Sequence, residues 1–347
     1  MLAPTVNLEI ENPVTSKELV DLLIMHFAVN QAVMVWGDSG IGKSELMDLI
    51  CALTGRRKVD IRLNVREPVD LRGLPVPDLA KLVTKWLVPS ELPPSDGSWG
   101  PTLLVLDEIN TGTMQMMSVA MQLVNERCIG EHRLPDNCAV VAMGNRPKDS
   151  RAVIQMPKPL RKRFAHYSMV VDHDAWVEHC KRTGLTPEII AFIRFRPEYL
   201  IREAQGDENA SANPRTIYKC GVYVKQPPRL RHKAFVALVG KDIGSEMESF
   251  VSMYQALSNI DDILAHPDTA NVPSERSEAY AVATALGRLA DRKNFANVIK
   301  YARRLGKEYS RELEIVAVTD ATYRDPKLAE VKAYGEWAVD NADITAQ

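Results

Sequence analysis

The feature that most restricts the fold is an eight-residue Gly-rich segment, residues 37–44, with the sequence GDSGIGKS. It satisfies the pattern G-x-x-x-x-G-K-[ST], in which backbone N–H groups surround phosphate oxygens at the N-terminus of a helix. An apolar run precedes the segment at residues 31–36, and a helix is predicted from Ser44 to Leu53. A strand, a phosphate-binding turn and a helix therefore follow one another, as in a parallel α/β sheet.

Each part of this segment has a predicted role. The glycines allow unusual backbone conformations and the close approach of a phosphate. The pattern assigns the Lys43 ammonium to the β- and γ-phosphates of ATP and the Ser44 hydroxyl to Mg²⁺. The predicted nucleotide-binding residues of the segment are Gly37, Asp38, Ser39, Gly40, Ile41, Gly42, Lys43 and Ser44.

A second half of a nucleotide site is predicted at residues 103–108, with the sequence LLVLDE. An apolar strand brings two acids to its carboxyl end, where ligands bind in open α/β sheets. We predict that Asp107 holds Mg²⁺ through its water shell and that Glu108 polarises the attacking water. Taken alone, the pair also fits acids that cap a strand end; the phosphate-binding segment upstream favours the catalytic interpretation.

The remaining patterns predict an α/β P-loop fold, a parallel five-stranded sheet between helical layers. The predicted strands are residues 31–36, 58–65, 103–106, 138–143 and 167–171. Their short apolar runs are typical of a sheet covered on both faces. Residues 66–101 are rich in Pro, Gly and Asp, which predicts loops with a little helix, and residues 128–137 are predicted to form a small hairpin. Beyond about residue 175 only helices are predicted.

Residues 10–220 resemble the AAA+ ATPases, and specifically the MoxR-type branch. DEIN at 107–110 is followed by a predicted helix and by LVNERCIGEHRLPDNCAVVAMGNRP at 123–147. PLRKRF at 159–164, ANPRT at 212–216 and EPVDLRGLPVPD at 67–78 fall in the order expected of that family.

The resemblance implies roles for three further residues. Asn145 matches the sensor 1 amide, which helps to place the lytic water. Arg163, with Arg161 as the alternative, matches the arginine finger that acts on the nucleotide of a neighbouring subunit. Arg215 matches the sensor 2 arginine at the start of a lid helix. The segment 67–78 resembles a loop that faces the pore of the ring or its partner.

The resemblance also implies an organisation. Residues 1–174 would form the nucleotide-binding core, 175–240 an α-helical lid, and 241–347 a helical extension, where the resemblance is weak. The family implies a homo-oligomeric ring, usually a hexamer, that remodels a protein client. A partner with a von Willebrand factor A domain is expected from the MoxR branch.

Composition and charge argue against several other classes of protein. The 43 basic and 45 acidic residues give a net charge of −2, so bulk charge does not attract nucleic acid or an anionic membrane. The short basic runs at 161–163 and 229–233 are interpreted first as solvated faces. Five cysteines without a C-x-x-C pair predict reduced thiols rather than disulfides or zinc.

Neither a signal peptide nor a membrane span is predicted, so a cytoplasmic location is expected. The leading hypothesis is an ATPase that remodels a protein. The alternatives left open are a nucleic-acid motor or loader with the same fold and a nucleotide-gated scaffold.

Overall fold

The computed structural model describes residues 12–146, 153–200, 210–257 and 259–342. The chain divides into two compact units, Met1–Ala175 and Trp176–Gln347. The predicted division of the helical part into a lid and an extension stays a prediction.

Ten strands occur among the described residues. They are β1 (Pro13–Val14), β2 (Val33–Trp36), β3 (Arg57–Arg62), β4 (Leu74–Asp78), β5 (Val83–Leu87), β6 (Thr102–Asp107), β7 (Cys128–Ile129), β8 (His132–Arg133), β9 (Cys138–Gly144) and β10 (Ala165–Met169).

Six of these strands form one parallel sheet in the order β1-β10-β2-β9-β6-β3. The prediction of a parallel α/β sheet is confirmed, but the sheet has six strands rather than five. The additional strand, β1, has two residues and pairs with β10 at the edge, too short to give a sequence pattern. Strand β9 separates β2, which leads into the Gly-rich segment, from β6, which ends in the acids.

Two hydrophobic cores cover the two faces of this sheet. Val33 and Val35 belong to one core, with apolar residues of the helices at 16–28 and 43–54, while Met34 belongs to the other. Leu103 and Leu104 divide in the same way. Successive side chains of a strand point to opposite faces, so an uninterrupted apolar run is what a doubly covered strand requires.

Fifteen α-helices occur among the described residues. They are α1 (Ser16–Ala28), α2 (Lys43–Thr54), α3 (Pro68–Arg72), α4 (Met114–Glu126), α5 (Lys158–Arg161), α6 (His173–Thr183), α7 (Pro187–Phe195), α8 (Pro214–Cys220), α9 (Pro228–Val239), α10 (Lys241–Gln255), α11 (Ile260–Ala265), α12 (Arg276–Leu289), α13 (Phe295–Glu308), α14 (Arg311–Arg324) and α15 (Lys332–Asp340). None of them is long and apolar enough to cross a membrane.

Two antiparallel hairpins project from the first unit. The pair β7–β8 confirms the hairpin predicted at 128–137. The pair β4–β5 corrects the interpretation of 66–101 as loops with a little helix: α3 is the helix, and Leu74–Leu87 forms a hairpin. Every residue of β5 is exposed, so its sequence lacks the alternation of a half-buried strand.

Helix α9 of the second unit changes the interpretation of the basic run 229–233. Arg231 is only 2% exposed. Its guanidinium donates to both carboxylate oxygens of Glu248 at 2.7 Å, to the Val224 carbonyl at 2.8 Å and to Gln255 Oε1 at 2.8 Å. Arg229 and Lys233 are exposed. The centre of the run is therefore an internal ion pair and not part of a solvated face.

This difference can be measured by urea unfolding followed by circular dichroism. Arg231→Ala leaves Glu248 without its partner and should lower the free energy of unfolding by roughly 3–5 kcal/mol. The control Arg229→Ala, two residues away and exposed, should change it by less than about 0.5 kcal/mol. Equal effects of the two substitutions would contradict the structural role of Arg231.

Candidate functional site: a nucleotide-binding edge of the sheet

The Gly-rich segment joins β2 to α2, and its backbone requires glycine at specific points. Gly40 and Gly42 have φ of 82° and 99°, in the left-handed region that side chains with a Cβ rarely adopt. At Gly37, a Cβ would lie 2.4 Å from Ile41 Cδ1 and 3.3 Å from the Met169 carbonyl oxygen. Gly42 is the residue directly before α2, at its N-cap, and has no side chain that could cap the first turn. The N–H groups of this helix terminus are thus suited to an anion.

Lys43 is held at the centre of the site. Its ammonium donates to the carbonyl oxygens of Gly37 at 2.6 Å and Asp38 at 2.8 Å, and to Asn145 Oδ1 at 3.2 Å. Lys43 starts α2, whereas Asn145 directly follows β9. Two residues that were predicted separately, from the Gly-rich pattern and from the family resemblance, are therefore in direct contact.

Asp107 ends β6 at the same edge of the sheet and is 9% exposed. Burial raises the pKa of its carboxyl, and the negative charges of Asp60 and Glu108 raise this pKa further, while Lys43 lowers it. Oδ1 accepts the Glu108 N–H at 2.9 Å, and Oδ2 lies 3.9 Å from Arg62 Nε. A buried carboxylate beside other acids is a place where a bound cation would be stabilised.

Glu108 has a strained backbone, with φ of 53°, which is uncommon for a residue other than glycine and clusters at functional sites. Its carboxylate accepts a short hydrogen bond from Asn64 Nδ2, and Thr111 Oγ1 donates to the same oxygen at 3.1 Å. Sequence reasoning missed both partners. Asn64 follows β3, and only the pairing of β3 with β6 brings it to Glu108.

Asn110 is a further residue that the sequence analysis did not single out, although it belongs to the quoted DEIN. It is 1% exposed. Its Nδ2 donates to the Asn145 carbonyl at 2.7 Å, and its Oδ1 accepts the Asn145 N–H at 3.3 Å. A Cβ at Gly144 would lie 2.5 Å from Asn110 Oδ1. This reciprocal pair fixes the backbone of Asn145, and glycine at 144 makes room for it.

The residues present fit a magnesium–nucleotide complex rather than an isolated metal ion. Among the described residues no group of three or more His, Cys, Asp or Glu side chains could hold a metal. Mg²⁺ is commonly held by one or two carboxylates together with substrate phosphates. Asp107 and the Ser44 hydroxyl are the predicted residues that would hold the ion, which would neutralise phosphate charge when bound.

Arg163 lies at the opposite edge of the sheet. It precedes β10, whose first residue Ala165 pairs with Val33 at the start of β2, and the Gln31 side chain donates to its carbonyl at 3.1 Å. Arg163 is exposed. The length of β2 separates this edge from the Gly-rich segment by about 10 Å. Arg163 is therefore not brought together with Lys43, Asp107, Glu108 and Asn145. Arg161, the alternative, lies on the same side, at the end of α5.

Arg215 belongs to the second unit, in the first turn of α8, and is exposed. Asn213 caps this helix, since its Oδ1 accepts the N–H groups of Arg215 and Thr216 at 3.0 Å. The position agrees with the start of a helix that the resemblance implied; its contact with a nucleotide stays a prediction.

Comparisons with known proteins give distant structural likeness only. No protein-family model and no curated protein matches the chain. Among solved structures, RuvB of Thermotoga maritima, a Holliday junction branch migration motor, is similar at 16% identity over 78% of this chain and 80% of that one, with a TM-score of 0.38. NtrX of Brucella abortus, solved with ADP, is similar at 13% identity over 95% of this chain and 66% of that one, with a TM-score of 0.39. Likeness this distant carries no conclusion about activity.

The class of protein therefore rests on the chain's own geometry. A parallel sheet covered on both faces, a Gly-rich turn into a helix and acids at the same sheet edge define a P-loop fold.

The contact between Asn110 and Asn145 can be tested through the ATP hydrolysis that the Gly-rich segment and the acids of β6 predict. Asn110→Ala leaves two backbone groups of Asn145 without partners and lets its side chain move, so we expect kcat to fall by about 10- to 100-fold. The matched control is Asn137→Ala, because Asn137 precedes the opposite end of β9. Its substitution should change kcat by less than about 2-fold. Similar losses in both variants would mean that the strand, and not the Asn145 contact, is affected.

Proposed function

We propose that the chain is an ATPase of the AAA+ type that works as a homo-oligomeric ring and uses ATP hydrolysis to remodel a protein client. One observation carries the proposal. The groups suited to hold and hydrolyse a triphosphate gather at the carboxyl edge of the sheet, whereas the exposed Arg163 lies at the amino edge, out of reach of them. Arg163 would therefore complete this site only on the nucleotide of a second copy of the chain.

The proposed division of labour follows from the contacts of each residue. Lys43 and the loop N–H groups bind the phosphates, and Ser44 and Asp107 hold the magnesium ion. Glu108 polarises the lytic water, and Asn145, joined to Lys43, orients it. Arg163 of the adjacent subunit neutralises the charge that develops in the transition state. Such a finger contributes about 10³–10⁵ in kcat.

The ring proposal is tested by measuring ATPase rate and molecular mass over a dilution series. We expect the rate per subunit to fall as rings dissociate. Glu108→Gln should bind ATP with turnover reduced by about 10³, and Lys43→Ala should lose binding. Arg163→Ala should assemble and bind ATP yet lose at least about 10²-fold in kcat.

Lys162→Ala is the control for Arg163, because it removes an exposed neighbouring charge. It should leave the rate within about 2-fold. Monomers that hydrolyse ATP at the full rate, or assembled Arg163→Ala rings with undiminished kcat, would exclude a finger supplied between subunits.

The client-contacting surface that we propose is the hairpin β4–β5, which includes part of the segment 67–78. Its turn carries Leu79 and Leu82, which are 79% and 88% exposed. Large apolar side chains exposed together are typical of a surface that binds another protein. This hairpin contains none of the predicted nucleotide-binding residues. Substitutions in it should therefore weaken client binding without changing basal ATP hydrolysis.

Affinity capture with Glu108→Gln in ATP should retain a protein client. Adding Leu79→Ser and Leu82→Ser should reduce the captured client by about 10-fold or more, since each loses an apolar contact of about 1.5–3 kcal/mol. The pair of substitutions in an otherwise native chain should leave basal ATPase within about 2-fold. The control is Glu131→Ser in the turn of β7–β8. Undiminished capture by the leucine variant would exclude this hairpin as the client surface.

The alternatives give different results in the same assays. Salt-dependent stimulation of ATPase by DNA would support a nucleic-acid motor or loader. Arg231 is bonded inside the second unit to Glu248, so its charge does not contribute to a surface that would bind nucleic acid. Negligible turnover, with assembly that strictly follows ATP, would support a scaffold. A six-subunit ring, a partner with a von Willebrand factor A domain and a cytoplasmic location complete the proposal.

A further inference from the structure

His166, in strand β10, forms a bridge between two parts of the first unit that the proposed function uses separately. Trp36 Nε1 donates to His166 Nδ1 at 2.9 Å, and the two rings lie edge to edge in nearly the same plane, with centroids 5.9 Å apart and an interplanar angle of 9°. The other ring nitrogen, His166 Nε2, lies 2.6 Å from the carbonyl oxygen of Arg161. Phe164 packs edge-on against the same imidazole.

The two partners fix the protonation state of the imidazole in this arrangement. An indole N–H can only donate, and a carbonyl oxygen can only accept. His166 Nδ1 must therefore be without a proton, and Nε2 must carry one. The ring is neutral, in one tautomer, and both of its nitrogens are used.

The two partners of His166 lie next to the two functional segments of the first unit, the phosphate-binding segment and the segment that carries Arg163. Trp36 is the last residue of β2, and Gly37 follows it as the first residue of the phosphate-binding segment. Arg161 ends α5, two residues before Arg163. Gln31 adds a second link, because its side chain donates to the Arg163 carbonyl at 3.1 Å. Two carbonyl groups of this segment are thus bonded to side chains outside it, that of Arg161 to His166 and that of Arg163 to Gln31.

We propose that His166 is a positioning residue for the Arg163 finger, which it fixes by joining residues 158–163 to the strand that carries the same subunit's phosphate-binding segment. The inference rests on the proposed function, because it assumes that Arg163 acts on a neighbour's nucleotide. His166 does not touch that nucleotide; it sets where the guanidinium points. A displacement of about 1 Å of a catalytic group can lower kcat by about 10²-fold.

Three substitutions of His166 separate its hydrogen bonds from its packing. His166→Phe keeps a ring between Trp36 and Phe164 but loses both bonds. His166→Gln reaches as far as Nε2 and can still donate to the Arg161 carbonyl, whereas His166→Asn is shorter and reaches only the position of Nδ1. We expect His166→Phe and His166→Asn to lower kcat by about 10- to 100-fold with KM within about 2-fold, and His166→Gln to stay within about 3-fold.

Mixed rings test whether the defect lies in the finger. In an equal mixture with Glu108→Gln, a His166→Phe subunit keeps its own hydrolytic residues and can receive a native finger from its neighbour. Because about half of these subunits would then receive a native finger, the rate per His166→Phe subunit should rise by about 5- to 50-fold over pure His166→Phe rings. Arg163→Ala should be rescued in the same mixture. A defect in the subunit's own phosphate-binding segment would not be rescued.

Tyr167→Phe is the matched control. Tyr167 is the next residue of β10, and its hydroxyl bonds His26 Nε2 at 2.8 Å on α1, away from the finger segment. We expect kcat within about 2-fold of the native value.

The outcomes separate this inference from the proposed function. Full activity of assembled Arg163→Ala rings, or no rescue of Arg163→Ala by Glu108→Gln, would overturn the finger itself. Rescue of Arg163→Ala together with an undiminished or unrescued His166→Phe would overturn only the role of His166, as would equal losses in His166→Gln and His166→Asn.

Discussion

The hydrogen bond between the Lys43 ammonium and Asn145 Oδ1 is the contact on which the nucleotide site depends. It joins the phosphate-binding segment after β2 to the end of β9, the strand that lies between β2 and β6. Asn110 then bonds both backbone groups of Asn145 from the segment that follows Asp107 and Glu108. A continuous set of polar contacts therefore runs across three strand ends. Because these contacts are partly buried, each is stronger than it would be on the surface.

Burial of charge at this edge acts against the protein's own stability and in favour of ligand binding. Asp107 is nearly buried beside Asp60 and Glu108, which raises the pKa of its carboxyl. The ionised form is therefore penalised in the folded protein. This penalty is absent below the ordinary pKa of an aspartate and fully present above the raised one. At neutral pH, a bound cation would relieve this penalty. The positive φ of Glu108 is likewise typical of a functional site.

The parts of this structure that could be predicted from sequence are those encoded by neighbouring residues. The segment 37–44 and the apolar runs of β2, β6 and β9 identified the strands and the edge where ligands bind. Asn64, Asn110 and His166 act through partners that only strand order brings close, so no local pattern marks them. The hairpin β4–β5 was missed for another reason. Every residue of β5 is exposed, so its sequence has no alternation of apolar and polar residues that would predict a strand. Arg231 shows the converse, since a basic run looks solvated until its carboxylate partner is known.

The separation of Arg163 from Lys43 within one chain is the feature on which the proposed assembly depends. The same strand, β2, carries the phosphate-binding segment at its carboxyl end and, through Gln31 at the other end, a bond to the Arg163 backbone. His166 adds the link from Trp36 to Arg161. In the proposed ring, a change in the position of β2 on nucleotide binding would therefore also move the arginine proposed to act on the next subunit. Sequential communication around the proposed ring would need such a connection within each subunit, and strand β2 with the side chains of Gln31, Trp36 and His166 would provide it.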